Sequence, residues 1–390
     1  MTRRKHRFGR HGLTAIAAAA VIAVAIAGGG GAHAATADSG SGQSPSLHWS
    51  SGRARAAGDL IEVACPARTL CVALNNAGGV VVSAKPAGGA SSWKVIRGLR
   101  ALQLGGTRKQ QSDAAEIDTM AFDLSCPSVH LCVVGRPGSP PTASVLYTTD
   151  PTGEASAWHE VKNIGGNAGR IASLTCPSVR RCYALENVSD SHGNITATAL
   201  ASTRPAGPAS AWRKTGGTLA DYPEGIACPS RSLCVVATGG GMYATANAAG
   251  PVSAYKFAND TNQQGQIDAV ACPSTRLCIA QPDMAGCTPC GAGNDLISTD
   301  PVTGTWRQAG VATGDIACPT SEFCVGTAAG TRHASDELAF STDPAGPAHA
   351  WHYVSRLRGN PRLRGIACAS ASFCVAVGDG GAIAVGSGRA

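Results

Sequence analysis

The chain has 390 residues, of which 44% are hydrophobic and only 5% aromatic, and a formal net charge of +7. Five of those positive charges (Arg3, Arg4, Lys5, Arg7 and Arg10) lie in the first ten residues, and no acidic residue precedes residue 35, so the remainder carries only +2. The basic balance therefore belongs to the N-terminus, and nucleic acid is excluded as an expected partner.

In chain order, the basic cluster is followed by an apolar run from Leu13 to Ala27 and by Ala32-His33-Ala34, small residues at cleavage spacing. This reads as a secretory signal peptide over 1–34. The apolar run is shorter than the about 20 residues a membrane helix needs, so no membrane span is expected after cleavage. Residues 35–45 form a polar linker. A secreted, extracellular chain in an oxidising compartment is expected to hold its 16 cysteines as disulfides.

Fourteen of those cysteines form seven pairs with five residues between: Cys65/Cys71, Cys126/Cys132, Cys176/Cys182, Cys228/Cys234, Cys272/Cys278, Cys318/Cys324 and Cys368/Cys374. The commonest form is C-P-S-x-x-x-C, and successive first cysteines stand 44 to 61 residues apart. A period of that size with short apolar runs marks propeller blades. The expected blades span approximately 58–97, 116–164, 168–216, 222–258, 264–310, 312–355 and 362–388 of a single domain over 46–390.

Blade 6 gives the pattern most clearly. Asp315 to Cys318 is a short strand, Pro319 to Phe323 a turn, and Cys324 to Thr327 the start of a second strand. Glu337 to Ser341 is the third strand and His349 to Val354 the fourth. Cross-strand neighbours in an antiparallel pair approach to about 4.5 Å between Cα atoms, within disulfide reach, so each pair is expected to clip strand 1 to strand 2 of its own blade.

An aromatic residue recurs in strand 4 as Trp93, Trp158, Trp212, Tyr255, Trp306 and Trp351. Blade 7 stops after Ala382-Ile383-Ala384-Val385 without one. The missing strand is expected at the other end, over 46–51, where Trp49 would complete blade 7 and close the ring without a free edge. The fold expected is all-β, a seven-bladed β-propeller closed by its N-terminal strand.

Ser341-Thr342-Asp343-Pro344-Ala345-Gly346 with Trp351 resembles the Asp-box hairpin of sialidase-like (BNR-type) propellers. Thr148 to Gly153 with Trp158 and Ser298 to Gly304 with Trp306 look similar, with one or two extra residues between Asp and Gly. With its C-P-S-x-x-x-C signature the chain also looks like secreted propellers of actinobacteria. The resemblance implies a fold and not an activity. Lys85, Arg204 and Asn247 replace the Asp in blades 1, 3 and 4, so the position holds a turn. The arginine triad and Tyr/Glu pair of sialidases have no counterpart to carry over, and no catalytic residue is expected.

Cys287-Thr288-Pro289-Cys290 is expected to form a local structural disulfide, since no helix follows to activate a thiolate. The histidines keep no cysteine register, so no metal is expected, and no cofactor motif is present. Turns between strands 1–2 and 3–4 lie on one face and are uniform. The opposite face carries the irregular 2–3 loops and 4–1 linkers, where binding is expected. Basic residues in two of its linkers, Arg97, Arg100, Arg108 and Lys109, and Arg356, Arg358, Arg362 and Arg364, are candidate contacts. The expected function is a secreted, monomeric, non-catalytic scaffold for a protein or an envelope carbohydrate. The alternative is a divergent sialidase-like glycan hydrolase.

Overall fold

The computed structural model describes residues 47–99, 123–136, 143–166, 169–189, 195–215, 217–219, 222–260, 267–282, 294–303, 306–328, 338–354, 357–359 and 361–388. All of these fall in one compact unit, Gln43–Ala390. The expected signal peptide and polar linker, the Cys287/Cys290 pair, and Arg100, Arg108, Lys109 and Arg356 lie outside the described residues.

Seven four-stranded antiparallel sheets form the ring. Blade 1 shows the order, with strands Leu60–Ala67, Leu70–Asn75, Val80–Ser83 and Lys94–Ile96 from the inside outwards. First strands of the other blades are Asp123–Ser128, Gly169–Ser178, Pro223–Ser230, Ile267–Ser274, Thr313–Thr320 and Leu363–Ser370. Each packs against the first strand of the next blade, and that of blade 7 packs against that of blade 1.

The turn expected over Pro319 to Phe323 is shorter than the sequence suggested. Strand 1 of blade 6 continues through Pro319 to Thr320, and only Ser321 and Glu322 turn before strand 2 begins at Phe323. A proline is tolerated there because strand 1 is the inner edge of its sheet and pairs on one side only. The serine of C-P-S has its own task. Ser128, Ser230, Ser274 and Ser370, and Thr320 in blade 6, each accept the N–H two residues on. This fixes the tight turn locally.

All seven expected repeat disulfides are present, each within one blade. They are Cys65–Cys71, Cys126–Cys132, Cys176–Cys182, Cys228–Cys234, Cys272–Cys278, Cys318–Cys324 and Cys368–Cys374, with Cα–Cα distances of 4.0 to 4.2 Å. The expectation that the two cysteines are plain cross-strand partners needs a correction. Only Cys368 and Cys374 are paired in the ladder itself. In blades 1 to 6 the register shifts at the cysteines, so Cys71, Cys132, Cys182, Cys234, Cys278 and Cys324 reach their partners across an irregular step. The residue after the first cysteine explains the difference. It is proline in those six blades and Ala369 in blade 7, and proline has no N–H to give to the ladder.

The two cysteines of a pair also differ in setting. Cys71, Cys132, Cys182, Cys234, Cys278, Cys324 and Cys374 are completely buried, because strand 2 lies inside its sheet. Directly across from each stands the last residue of strand 3 in blades 1 to 6: Ser83, Thr148, Ser202, Thr245, Ser298 or Ser341. In blade 7 it is Gly386.

The core lies between blades. Trp158 of blade 2 packs with Val72, Leu74, Val80 and Val82 of blade 1, and Trp351 of blade 6 with Leu277, Ile279 and Ile297 of blade 5. Trp49 packs on Phe323, Val325 and Leu338 of blade 6, as a blade 7 aromatic must. Its strand is His48–Arg53, two residues later than expected at both ends, and pairs with Ala382–Ser387, the third strand of blade 7. The pairing extends to Arg53 because its guanidinium donates to the carbonyls of Asp379 and Gly380, capping the preceding turn.

Candidate functional site

A β-bulge precedes the position three residues before the first cysteine in blades 1, 3, 4, 5, 6 and 7. Bulges re-aim the side chain that follows. The position holds Glu62, Asp123, Ser173, Gly225, Ala269, Asp315 and Gly365 around the ring. In three blades its polar side chain reaches the next blade. Asp123 accepts the Leu174 N–H at 2.5 Å, Ser173 the Ile226 N–H at 3.0 Å, and Asp315 the Ile366 N–H at 2.7 Å. Where it is Gly365, a Cβ would stand 3.0 Å from the Ile61 carbonyl oxygen, so a side chain there would require the first strand of blade 1 to give way slightly.

Three carboxyl groups therefore converge where the first strands meet: Glu62, Asp123 and Asp315, all half-buried. Burial pushes the Glu62 carboxyl well above the usual range, and the charges of Asp315 and Asp123 push it further. Burial raises Asp123 as well, against the pull of the Ser173 hydroxyl and the Leu174 N–H. Asp315 is pushed up to about 6 by burial, opposed by the Ile366 and Ile316 N–H groups. These groups share a low-dielectric setting in which charging all three is costly. They share a constant offset from the first cysteine, but that offset does not single them out, because the same position holds Ser173, Ala269 and two glycines in the other blades.

A fourth acid is structural. Asp295 is fully buried between blades 5 and 6, where its carboxylate accepts the Thr313 N–H at 3.1 Å and the Thr313 hydroxyl at 2.7 Å. Gln281 donates to the same hydroxyl oxygen at 2.7 Å. Burial pushes Asp295 up to about 7. Among the described residues no group of three or more His, Cys, Asp or Glu side chains is placed to hold a metal ion.

The candidate arginines on the loop face are only partly brought together. Arg362 and Arg364 both meet Asp379, at 3.9 Å for Arg362 and in a closer contact for Arg364. Arg97 and Arg358 are exposed, and the Arg358 carbonyl accepts the Ser51 hydroxyl at 2.6 Å. Arg358, Arg362 and Arg364 thus lie around the seam where the N-terminal strand joins blade 7, whereas Arg97 follows strand 4 of blade 1.

The Asp-box positions form turns whatever residue occupies them. Ser83, Thr148, Ser202, Thr245, Ser298 and Ser341 each accept the N–H two residues on, at 3.0 to 3.2 Å. The acceptor residue is Ser or Thr throughout, while the donor is Lys85, Asp150, Arg204, Asn247, Asp300 or Asp343. The hydroxyl holds the turn, and the Asp is optional.

This geometry defines a seven-bladed β-propeller with disulfide-clipped blades. No protein-family model matches the chain, and no curated protein matches it. It is similar in fold to a structure of YCF48 bound to D1 peptide, at 12% identity and a TM-score of 0.59, covering 89% of this chain and 100% of that one. YCF48 from Cyanidioschyzon merolae aligns at 11% identity and a TM-score of 0.57, over 86% and 98% of the two chains. The RRP9 WD40 repeats align at 11% identity and a TM-score of 0.56, over 89% and 99%. At these identities the likeness is one of fold. The named structures are YCF48 and WD40 propellers, so the sialidase-like resemblance stands on the Asp-box turns alone.

Proposed function

We propose that this chain is a secreted, non-catalytic binding propeller, a monomer without cofactor. It engages a protein or an envelope carbohydrate through the face that carries the 2–3 loops and 4–1 linkers. The observation that carries this reading is the contrast between faces. One is built from near-identical hairpins with a disulfide in every blade. The other is joined by segments that differ in length from blade to blade, and variable loops on a rigid scaffold are where recognition concentrates. YCF48, one of the propellers it resembles, was solved with a bound peptide, which supports a protein as ligand. The paired cysteines are consistent with an oxidising, extracellular location. No helix among the described residues is long and apolar enough to cross a membrane.

A glycan-acting hydrolase is the second reading, favoured by the convergence of Glu62, Asp123 and Asp315. Against it, Asp123 and Asp315 spend carboxylate oxygens on backbone N–H groups of the next blade, which is a structural use. Peptide and glycan arrays probed with the purified chain separate the readings. A ligand lost on replacing Arg97 and Arg358 with Glu, but kept by Glu62→Gln, supports loop-face binding. Glycan turnover abolished by Glu62→Gln supports the hydrolase.

A further inference from the structure

The uniform face carries a chemical feature that its structural role does not require. The two-residue turns between strands 1 and 2 bear Arg68 in blade 1, His130 in blade 2, Arg180 in blade 3, Arg231 in blade 4 and Arg276 in blade 5, and Arg181 opens the next strand of blade 3. All but Arg181 are exposed, and none makes an ion pair among the described residues. Arg68 lies over the Phe373 ring at 5.5 Å and donates to the Ser372 hydroxyl at 3.5 Å. The corresponding turns of blades 6 and 7 carry Glu322 and Ala371-Ser372. Since first strands of successive blades are neighbours, these basic residues form a crescent over five adjacent blades at one end of the channel.

Two further observations fall on the same blades. An open cavity of about 350 Å³ with a mainly polar exposed lining lies among the first strands of blades 2 to 5, edged by Ser125 and Thr175 and by Pro177, Pro229 and Pro273. Those prolines stand one residue before Ser178, Ser230 and Ser274, which lead into the arginine turns, so cavity and crescent share one end of the channel. Val179, beside Arg180, is one of the few large hydrophobic side chains left exposed, at 46%.

We propose that this turn face is a docking surface for an extended acidic segment of a partner protein, with an apolar side chain among its carboxylates. Arginine presents a planar fork matched to carboxylate and stays charged at all relevant pH values. Uncompensated arginines around an acidic ligand also steer its approach. The exposed Val179 beside Arg180 offers an apolar contact that a polymer of sugars or phosphates has no side chain to meet, so the occupant is a peptide. This surface is opposite the loop face and independent of any ligand there.

The test uses the whole chain and three fluorescent probes: Glu-Glu-Leu-Glu-Glu, the same peptide with Gly for Leu, and inorganic polyphosphate. The Leu peptide should bind more tightly than the Gly peptide. Its affinity should fall about tenfold or more when Arg180, Arg181, Arg231 and Arg276 become Ala, with a shallower salt dependence. Replacing Arg97 and Arg358 with Ala should leave it unchanged. Should the fourfold variant fail to fold, Arg231→Glu and Arg276→Glu, measured singly, take its place. Equal binding of the two peptides, retention of affinity without the turn arginines, loss of affinity in the loop-face variant, or capture of polyphosphate but not peptide would each overturn the proposal.

Discussion

Trp49 lies across Gly386: a Cβ built on that glycine would meet the indole Cε2 and Cζ2 atoms at 2.8 Å. The two residues are direct partners in the register of the closing strand. Blades 2, 3 and 6 place their tryptophans opposite Thr148, Ser202 and Ser341 at the same register. Blade 7 differs because its fourth strand comes from the other end of the described chain. Its last turn needs no hydroxyl, and the vacated space takes the ring.

Gly386→Ala should therefore destabilise the protein, since the new methyl group and the indole cannot both keep their places. Overpacking of a well-filled site costs about 1–3 kcal/mol. Equilibrium urea unfolding reads this directly. Ser341→Ala at the equivalent site of blade 6 should cost less, about 1 kcal/mol, by removing one buried hydrogen bond.

The turn chemistry gives a sharper contrast within one hairpin. Ser341→Ala removes the acceptor of the Asp343 N–H. Asp343→Ala keeps that bond, because the donor is the backbone, and should stay within about 0.5 kcal/mol of the parent. Thermal unfolding of the two single variants checks the order. A larger loss for Asp343→Ala would mean that the carboxylate and not the hydroxyl holds the turn.

Most of the architecture is legible in the sequence, because a proline, a serine and two cysteines repeat at fixed offsets and each has a local physical reason. The displaced blade 7 strand is legible from Trp49 alone, since each of the other six blades has an aromatic that opens its fourth strand (Trp158, Trp212, Trp351) or stands one residue before it (Trp93, Tyr255, Trp306). The carboxyl groups of Glu62, Asp123 and Asp315 are not. They share an offset from the first cysteine, but the position also holds Ser173, Ala269 and two glycines. Only the ring brings residues about 60 to 250 positions apart into one electrostatic environment, and no local pattern records that closure. The bulges that precede Glu62 and Asp315 are hidden for the same reason, being set by pairing with strand 2.

The raised carboxyls predict an unusual pH dependence. For an acid whose folded pKa lies above its unfolded value, the stabilising contribution is complete below the unfolded pKa and lost as pH rises through the folded one. The unfolded value for Asp is about 3.9, while Asp315 is pushed up to about 6 and Asp295 to about 7. Stability from these groups should fall between about pH 4 and pH 7. A buried carboxyl whose pKa rises by one contributes roughly 1.4 kcal/mol. Melting temperatures across that range should decline, and Asp295→Asn should flatten the decline. A profile that rises steadily from pH 4 to pH 7 would contradict the assignment.

The local disulfides yield a chemical prediction. Digestion without reduction should release seven peptides or peptide pairs, each joining cysteines six positions apart, from Cys65–Cys71 to Cys368–Cys374. Replacing one pair by Ala should cost roughly 2 kcal/mol, because the loop it closes in the unfolded chain is short.

The seven blades form one closed unit whose last strand is His48–Arg53. The most direct test of that closure compares two chains, one beginning at residue 46 and one at residue 54, by calorimetric unfolding. The longer chain should show a single cooperative transition. The shorter one should melt far lower or in separate steps, because strand 3 of blade 7 is left as a bare edge and Phe323, Val325 and Leu338 lose the Trp49 ring. Coincident transitions at the same temperature would contradict closure by the N-terminal strand.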